Sequence, residues 1–322
     1  MSNQYLPEGS LIGSVPNREI LYSPAAVERA MANGTIFEVM VTRCDRELTL
    51  YAELGGMTGI IPRQEVMDLP EGGELRDIAA VTRVGKAAAV RVIGVTRTAE
   101  GEPAWLLSRR EAQKECRERF LSRLTPGDII PARVTHMEPF GAFADIGCGV
   151  ISLLTIDAIS VSRISHPRDR FRTGEFIRVA VKSVDPDTGR IFLSHKELLG
   201  TWEENAARFS IGQTVAGIVR SVESYGIFVE LMPNLAGLAE PKEEIRAGQI
   251  ASVYIKNIIP ERMKCKLVIV DAYFGDPVRK PCEYFVPPSV HRLTAWRYSP
   301  ACSERTVETV FDAENVSLSG LV

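Results

Sequence analysis

Apolar and polar residues alternate in short runs along most of the chain, a pattern typical of β-strands that bury one face. Between Gly34 and Ser108 five such runs occur, with a turn at Gly55-Gly56 and a longer loop after the third run. The same order of runs returns in residues 127–194 and again in residues 212–270. Five short strands with a long third connection predict a small closed barrel, so we expect three such barrels in tandem.

A short motif in the second set of strands recurs in the third set. The two copies are Phe140-Gly141-Ala142-Phe143-Ala144-Asp145 and Tyr225-Gly226-Ile227-Phe228-Val229-Glu230. Both copies follow the order aromatic, glycine, apolar, aromatic, apolar, acid. Each copy is preceded, the same number of positions earlier, by a glycine and a polar residue: Gly127-Asp128 and Gly212-Gln213. A pattern that recurs together with its surroundings indicates a repeated structural unit.

Helical periodicity marks the segments that precede and join the barrels. Ser23 and Pro24 are typical of the start of a short helix, which Gly34 would end. In residues 109–124 an apolar residue recurs every four positions, at Ala112, Cys116, Phe120 and Leu124. This predicts an amphipathic helix with six basic and three acidic residues, a net charge of +3. Two interpretations stay open: a connector with solvated charges, or a helix that contacts phosphate.

The chain can be divided into seven predicted segments. We expect the N-terminal tail to be mobile or loosely docked, and the C-terminal extension to be ordered and packed on the last barrel. In chain order the segments are a tail with a short helix (1–33), a divergent first barrel (34–108), a basic linker helix (109–124), a second barrel (125–196), a second linker helix (197–210), a third barrel (211–271) and an extension rich in aromatic residues and proline (272–322).

Composition excludes several functional classes. The formal net charge of the 322 residues is −3, which argues against a protein that coats nucleic acid by bulk positive charge. No apolar run reaches the roughly 18 residues that span a membrane, and the first ten residues lack a secretory signal, so we predict a cytoplasmic protein. The cysteines have no CxxC spacing and are predicted to be free thiols; they are Cys44, Cys116, Cys148, Cys265, Cys282 and Cys302.

The sequence carries few signs of catalysis. It has no GxxxxGK[ST] phosphate loop and no HExxH zinc motif. None of its four histidines pairs with a cysteine or serine motif at nucleophile spacing; they are His136, His166, His195 and His291. Four aspartates could in principle bind a metal, but their positions in turns and at strand ends explain them better. They are Asp145, Asp157, Asp185 and Asp187. We therefore predict no enzyme activity, no cofactor and no metal.

Several features together resemble the RNA-binding repeat of bacterial ribosomal protein S1. They are Gly127-Asp128 before the first strand, the motif Phe140–Asp145, Gly174-Glu175 before the fourth strand, the turn at Asp185 and the closing Leu193-Ser194. The resemblance covers roughly residues 34–270 and is clearest in the second and third copies. It implies an all-β dominated chain of three five-stranded antiparallel barrels of the oligonucleotide-binding type. It also implies single-stranded RNA as the ligand, on the second and third strands of each barrel.

Aromatic and basic residues on that face are the predicted RNA site. Phe140 and Phe143 differ by three positions, so strand alternation would place them on opposite faces unless the backbone bends at Gly141. The family geometry implies that both rings point outward, where each could stack a base for about 1–3 kcal/mol. The alternative is that Phe143 and Phe228 belong to the core. The predicted site residues are Phe140, Phe143, Tyr225, Phe228 and Tyr51 for stacking, and Arg133, Arg168, Arg190, Arg220, Lys264 and Lys266 for phosphate.

The first copy departs most from the family pattern. Leu48 stands where the first aromatic residue should be, and residues 34–108 carry eight basic and eleven acidic side chains, a net charge of −3. We therefore expect the first barrel to bind RNA poorly and to be suited to protein docking instead, and the second barrel to be the principal RNA site. The predicted function is single-stranded messenger RNA binding in translation, by a monomer that could associate with the small ribosomal subunit. The alternatives are a protein-docking scaffold without RNA binding and an accessory enzyme of RNA processing.

Overall fold

Three closed five-stranded β-barrels follow one another along the chain, as the sequence predicted. The computed structural model of the protein describes residues 5–70, 72–275 and 282–311. Numbered within each barrel, the strands follow the order 1-2-3-5-4 around the ring in all three copies. The third and fifth strands run parallel, so the barrels are mixed rather than wholly antiparallel. The reason is geometric, because an odd number of strands closed in a ring cannot alternate in direction throughout.

The first barrel follows two helices and contains a short third helix before its fourth strand. The helices are α1 (Val15–Tyr22), α2 (Pro24–Asn33) and α3 (Asp77–Val81). The strands are β1 (Phe37–Cys44), β2 (Leu50–Leu54), β3 (Met57–Ile61), β4 (Ala87–Arg97) and β5 (Pro103–Ser108). Helix α4 (Arg109–Arg119) follows directly, with the Ser108 hydroxyl accepting the Glu111 N–H as its cap.

The second and third barrels repeat this plan. The second contains β6 (Ile129–Glu138), β7 (Gly141–Asp145), β8 (Ile151–Thr155), the short helix α5 (Ile156–Ile159), β9 (Phe176–Val184) and β10 (Ile191–Ser194). Between the barrels lies α6 (Trp202–Ala206). The third contains β11 (Thr214–Glu223), β12 (Gly226–Met232), β13 (Leu235–Ala239), β14 (Ile250–Ile259) and β15 (Lys264–Tyr273), and the extension forms a hairpin of β16 (Ala295–Arg297) and β17 (Glu308–Val310).

The linker between the second and third barrels is not the continuous helix that the sequence predicted for residues 197–210. A 3₁₀ turn over Lys196–Leu199 ends at Gly200, whose φ of 82° interrupts the helix. Helix α6 then starts anew with a capping box between Thr201 and Glu204. No helix in the described part of the chain is both long and apolar enough to cross a membrane.

The described residues fall into two compact units. One unit comprises the chain up to Leu124 together with Pro131–Arg133 and Ala144–Ile151. The other comprises Thr125–Ile130, Val134–Phe143 and the residues from Ser152 onward. Both units therefore draw on residues of the second barrel.

In the first unit the N-terminal segment is docked, which differs from the mobile or loosely docked tail expected from the sequence. Tyr5 and Glu8 are buried, and the Glu8 carboxylate accepts hydrogen bonds from Arg109 Nε at 2.6 Å and Arg83 Nη1 at 2.8 Å. Burial alone would raise the pKa of Glu8, but the guanidinium groups of Arg109 and Arg83 lower it below its usual value. Arg109 of helix α4 is only 2% exposed, so its charge depends on Glu8 for a partner.

Asp145 is the second buried carboxylate of this unit. Its oxygens accept the backbone N–H groups of Glu8 at 2.7 Å, Gly147 at 2.8 Å and Gly149 at 3.0 Å. Burial and the neighbouring Glu8 charge raise the pKa of Asp145 to about 7. Asp145 therefore holds the chain around it in place, in agreement with the strand-end role predicted for it.

In the second unit Glu230 stands at the motif position that Asp145 occupies in the other copy. Its carboxylate accepts hydrogen bonds from Arg170 Nη2 at 2.5 Å and Arg220 Nε at 2.8 Å, and Arg220 also lies 3.2 Å from Asp169. The buried Asn234 accepts the Val161 N–H at 3.0 Å and donates to the Lys196 and Gly200 carbonyls. These bonds join the loop and linker of the second barrel to the third barrel.

The described part of the extension, residues 282–311, packs within this second unit. Trp296 and Tyr298 are buried in the core of the third barrel, and the Tyr298 hydroxyl donates to the Asn234 carbonyl at 2.7 Å. Arg178 of β9 donates to the carbonyls of Val286 at 2.6 Å and Pro287 at 3.0 Å. The extension therefore packs on the third barrel, as expected, and also on the second. Residues 276–281 and 312–322 of the predicted extension lie outside the described residues.

Gly141 opens β7 at a point where the neighbouring strand comes very close. A Cβ atom at this position would lie 2.5 Å from the Leu154 carbonyl oxygen and 3.1 Å from Thr155 Cα. The backbone of Gly141 is not left-handed. The glycine is thus required by lack of space beside β8, and not by the unusual backbone angles that the sequence suggested.

Replacing Glu8 by alanine should destabilise the first unit. The substitution leaves the Arg109 guanidinium buried without its carboxylate partner, which costs about 3–5 kcal/mol of unfolding free energy. Urea unfolding of the full chain measures the change, with Glu19→Ala on the exposed side of α1 as the matched control. Equal losses in the two variants would contradict the role assigned to the Glu8–Arg109 pair.

Two glycine-to-alanine substitutions should change the free energy of unfolding in opposite directions. Gly141→Ala forces a Cβ against backbone atoms and should lower the unfolding free energy by about 1–3 kcal/mol. Gly94→Ala in β4 meets nothing within 4 Å and should raise stability by about 0.5–1 kcal/mol, because alanine loses less backbone entropy. Denaturant titrations of both variants decide the point, and a stable Gly141→Ala protein would refute the steric argument.

Candidate nucleic-acid interface

The aromatic pair of the second barrel lies on the outer surface, with both rings close together. Phe140 is 55% exposed and Phe143 is half-buried. Their ring centroids are 6.0 Å apart and the rings meet edge to face at 89°. Phe140 precedes the first residue of β7, so strand alternation does not govern its direction. This explains how two residues three positions apart share one face, and neither ring belongs to the buried core.

A third ring, that of His136, extends the pair. His136 lies on β6, the strand next to β7 in the ring order. Its imidazole is inclined by only 25° to the Phe143 ring, with centroids 6.1 Å apart, and its Nε2 lies 2.6 Å from Glu138 Oε1. The site predicted from sequence did not include His136. Part of this arrangement could have been predicted from the sequence. His136 and Glu138 are two positions apart on a strand, so alternation places both side chains on the same face.

The third barrel presents a second aromatic pair of nearly the same geometry. Tyr225 is 67% exposed, Phe228 is half-buried, and their centroids lie 6.2 Å apart at 86°. Phe228 stands opposite Leu238 on β13, and Leu238 stands opposite Lys266 on β15. Residues in register share a face, so Lys266 lies on the same outer surface two strands away, about 10 Å from Phe228.

The first barrel differs, because its single predicted aromatic residue is already engaged. The guanidinium carbon of Arg43 lies 3.9 Å from the centre of the Tyr51 ring. The Tyr51 hydroxyl donates to Asp45 Oδ2 at 2.8 Å, and burial together with this carboxylate raises the pKa of Tyr51. Leu48, which replaces the first aromatic residue of the motif, is buried. One face of the Tyr51 ring is therefore covered before any ligand arrives.

The predicted phosphate-contacting residues fall into two groups. Arg168, Arg190, Lys264 and Lys266 are exposed. Arg133 donates to the Glu8 carbonyl at 2.7 Å, and Arg220 pairs with Glu230 and Asp169. The structure thus gives Arg133 and Arg220 internal partners, while the RNA contacts of all six residues stay predictions.

A cysteine and a histidine, Cys282 and His195, are in contact among the described residues. Cys282 Sγ lies 3.7 Å from Nε2 of His195, whose Nδ1 lies 3.0 Å from the Ile159 carbonyl. Burial lowers the pKa of His195 to about 4. A lowered basicity makes the imidazole a weaker acceptor for a thiol proton. The part of the chain that the structure describes also contains no group of three acidic, histidine or cysteine side chains placed to hold a metal.

Comparison with known proteins agrees with this geometry. The family model of the S1 RNA binding domain matches residues 31–101 and 123–196. The small ribosomal subunit protein bS1 of Staphylococcus saprophyticus is 33% identical over 167 residues, which cover 48% of this chain and 42% of the relative. A bS1 homolog of Bacillus cereus is 37% identical over 138 residues, covering 42% of this chain and 34% of the relative.

A third relative gives the same picture. The bS1 protein of Staphylococcus aureus (strain COL) is 32% identical over 180 residues, covering 51% of this chain and 46% of its own length. The chain spans less than half the length of these curated relatives. Its first two barrels match the S1 domain model, and its third shares their strand order. Over its first two barrels the chain is similar to the bS1 proteins and matches the S1 RNA binding domain.

Proposed function

We propose that this protein binds single-stranded RNA through the outer faces of its second and third barrels and supports translation. The observation that carries the proposal is the exposed edge-to-face pair of Phe140 and Phe143, on a barrel that matches the S1 RNA binding domain. The matched domain is named as an RNA-binding one, and burial lowers the basicity of His195, so we infer binding and not catalysis as the function.

Stacking is the main interaction in this proposal. An exposed phenylalanine ring offers its face to any unpaired base, and each stacked base contributes about 1–3 kcal/mol without strong sequence preference. Arg168 and Arg190 are exposed on the same barrel and supply phosphate contacts. Since the whole chain carries a net charge of −3, these local cations, and not the overall charge, provide the electrostatic part.

The third barrel provides a second face with the same chemistry. Tyr225 and Phe228 supply the rings, and Lys264 and Lys266 supply charge on the same outer surface. Asn234 and Glu230 join the third barrel to the loop and linker of the second. Two sites on one body gain apparent affinity, because binding at the first raises the effective concentration at the second.

Association with the small ribosomal subunit is part of the proposal. The relatives described above are small ribosomal subunit proteins, and this chain matches less than half of their length. We infer that the chain works beside the ribosome in the cytoplasm, as a monomer, and delivers or holds messenger RNA there. Sedimentation of the tagged chain with purified small subunits tests this part separately from RNA binding.

A second candidate function applies to the first barrel alone. Its Tyr51 ring is covered by Arg43, and residues 34–108 carry a net charge of −3. Both features disfavour a polyanion, so this barrel is better suited to docking a protein than to holding RNA.

Removing the two phenylalanines should weaken RNA binding strongly. The double variant Phe140→Ala/Phe143→Ala loses two stacking contacts, so its dissociation constant for a labelled single-stranded RNA should rise about tenfold or more. Fluorescence anisotropy measures the constant. Phe176→Ala, a truncation of an exposed phenylalanine on β9, is the matched control. If the double variant binds as well as the control, the second barrel is not the site.

Truncation of the corresponding residue in the first barrel should have little effect. Tyr51→Ala should change the dissociation constant by less than about twofold, because its ring is already engaged by Arg43. The same anisotropy titration applies, after circular dichroism confirms that the variant is folded. A loss as large as that of the phenylalanine double variant would show that the first barrel also binds RNA.

A further inference from the structure

We infer that His136 is a third stacking residue of the second barrel and that its protonation strengthens RNA binding as the pH falls. The inference rests on the proposed RNA binding and assigns a specific residue and a pH response to that face. It stands on three observations: the position of the ring, its contact with Glu138, and the charges on the neighbouring strands.

The first observation is the arrangement of three rings in sequence. Phe140 meets Phe143 at 89°, and His136 lies almost parallel to Phe143 at 25°, with each neighbouring pair of centroids about 6 Å apart. The His136 side chain is 62% exposed, so a base stacked on this surface can reach the imidazole. Unlike the two phenylalanines, the imidazole also presents nitrogen atoms at its edge.

The second observation is the carboxylate beside the imidazole. Glu138 Oε1 lies 2.6 Å from Nε2, and the described residues place no partner on Nδ1. With a neutral imidazole the pair carries one negative charge next to the aromatic surface, which repels phosphate. With a protonated imidazole the pair is neutral, and Nδ1–H becomes a donor directed at solvent or ligand.

The third observation concerns the strands on either side of β6. On β7 the charged residue is Asp145, which is buried and accepts three backbone N–H groups. On β9 the charged residues are Arg178, bonded to carbonyls of the extension, and Lys182, 3.9 Å from Asp157. Glu138 is thus the charged group in contact with the imidazole among the described residues.

The direction of the pH effect follows from linkage. Bound RNA places phosphate charge near the imidazole and favours its protonated form, so binding takes up a proton. Affinity must then rise as the pH falls through the range in which histidine titrates. If the exposed His136–Glu138 contact had only a structural role, RNA affinity would not depend on pH in this way, because surface pairs of this kind contribute little to the stability of the fold.

The experiment measures the affinity of the full chain for a labelled oligouridine between about pH 7.5 and about pH 5.5 at constant ionic strength. Uracil gains no proton in this range, so the probe itself does not titrate. Affinity should rise about threefold to tenfold in the wild-type protein, which corresponds to a coupling free energy of up to about 1.4 kcal/mol. His136→Gln should abolish the rise. His136→Phe keeps an aromatic ring but has no group that takes up a proton, so it should also give a flat pH profile.

His291→Gln serves as the control, since His291 is exposed on the extension and should leave the pH response intact. Oligouridine binding with a flat pH profile in the wild type would overturn the inference and leave RNA binding in place. A rise that persists in His136→Gln would overturn it as well. Absence of binding at every pH would overturn the proposed function and this inference together.

Discussion

Two buried carboxylates, Asp145 and Glu230, bind the segments around them and so limit which part of the second and third barrels remains open. Asp145 and Glu230 close the repeated motif, two positions after Phe143 and Phe228, so each acid shares a strand face with an aromatic ring. At the acid the face is covered, by the Glu8 backbone at Asp145 and by Arg170 at Glu230. The aromatic end of the same face stays exposed. The hydrogen bonds at Asp145 and the ion pairs at Glu230 thereby leave the rings as the accessible part of that face.

These contacts also account for how charge is distributed in an acidic protein that matches the S1 RNA binding domain. Arg109 and Arg170 are buried beside glutamates, and Arg220 is shared between Glu230 and Asp169. Arginines that pair with carboxylates inside the protein stabilise the fold and contribute little to the electrostatic potential at the surface. What remains for a ligand is a small number of cations next to aromatic rings. Such a surface should bind with a modest salt dependence and rely on stacking, because few counterions are released.

The architecture could be read from the sequence because it depends on short-range patterns. Strand alternation and a motif repeated with its flanks predicted three barrels, and the outward rings of Phe140 and Tyr225 followed from the family resemblance. The failures concern distant partners. Nothing near Glu8 in the sequence indicates that it pairs with Arg109, 101 positions away, so the N-terminal segment was interpreted as a loose tail.

Other details of the structure depend on the space around a residue and on its backbone angles, which a pattern of apolar and polar residues does not reveal. The steric role of Gly141 arises from the Leu154 carbonyl on the next strand, which only the assembled barrel brings near. The break at Gly200 depends on a positive φ inside a segment that otherwise looks helical. Arg133 and Arg220 looked available for phosphate because their partners, Glu8 and Asp169, lie far away in the sequence.

The three barrels show that one fold can present three different surfaces. The ring pairs of the second and third barrels are nearly superimposable in geometry, at 6.0 Å and 89° against 6.2 Å and 86°. Their flanking charges differ: lysines in the third barrel, and a histidine beside a glutamate in the second. In the first barrel Arg43 covers the ring. Since the strand order is the same throughout, it is the side chains on the outer face, and not the fold, that determine what each barrel can bind.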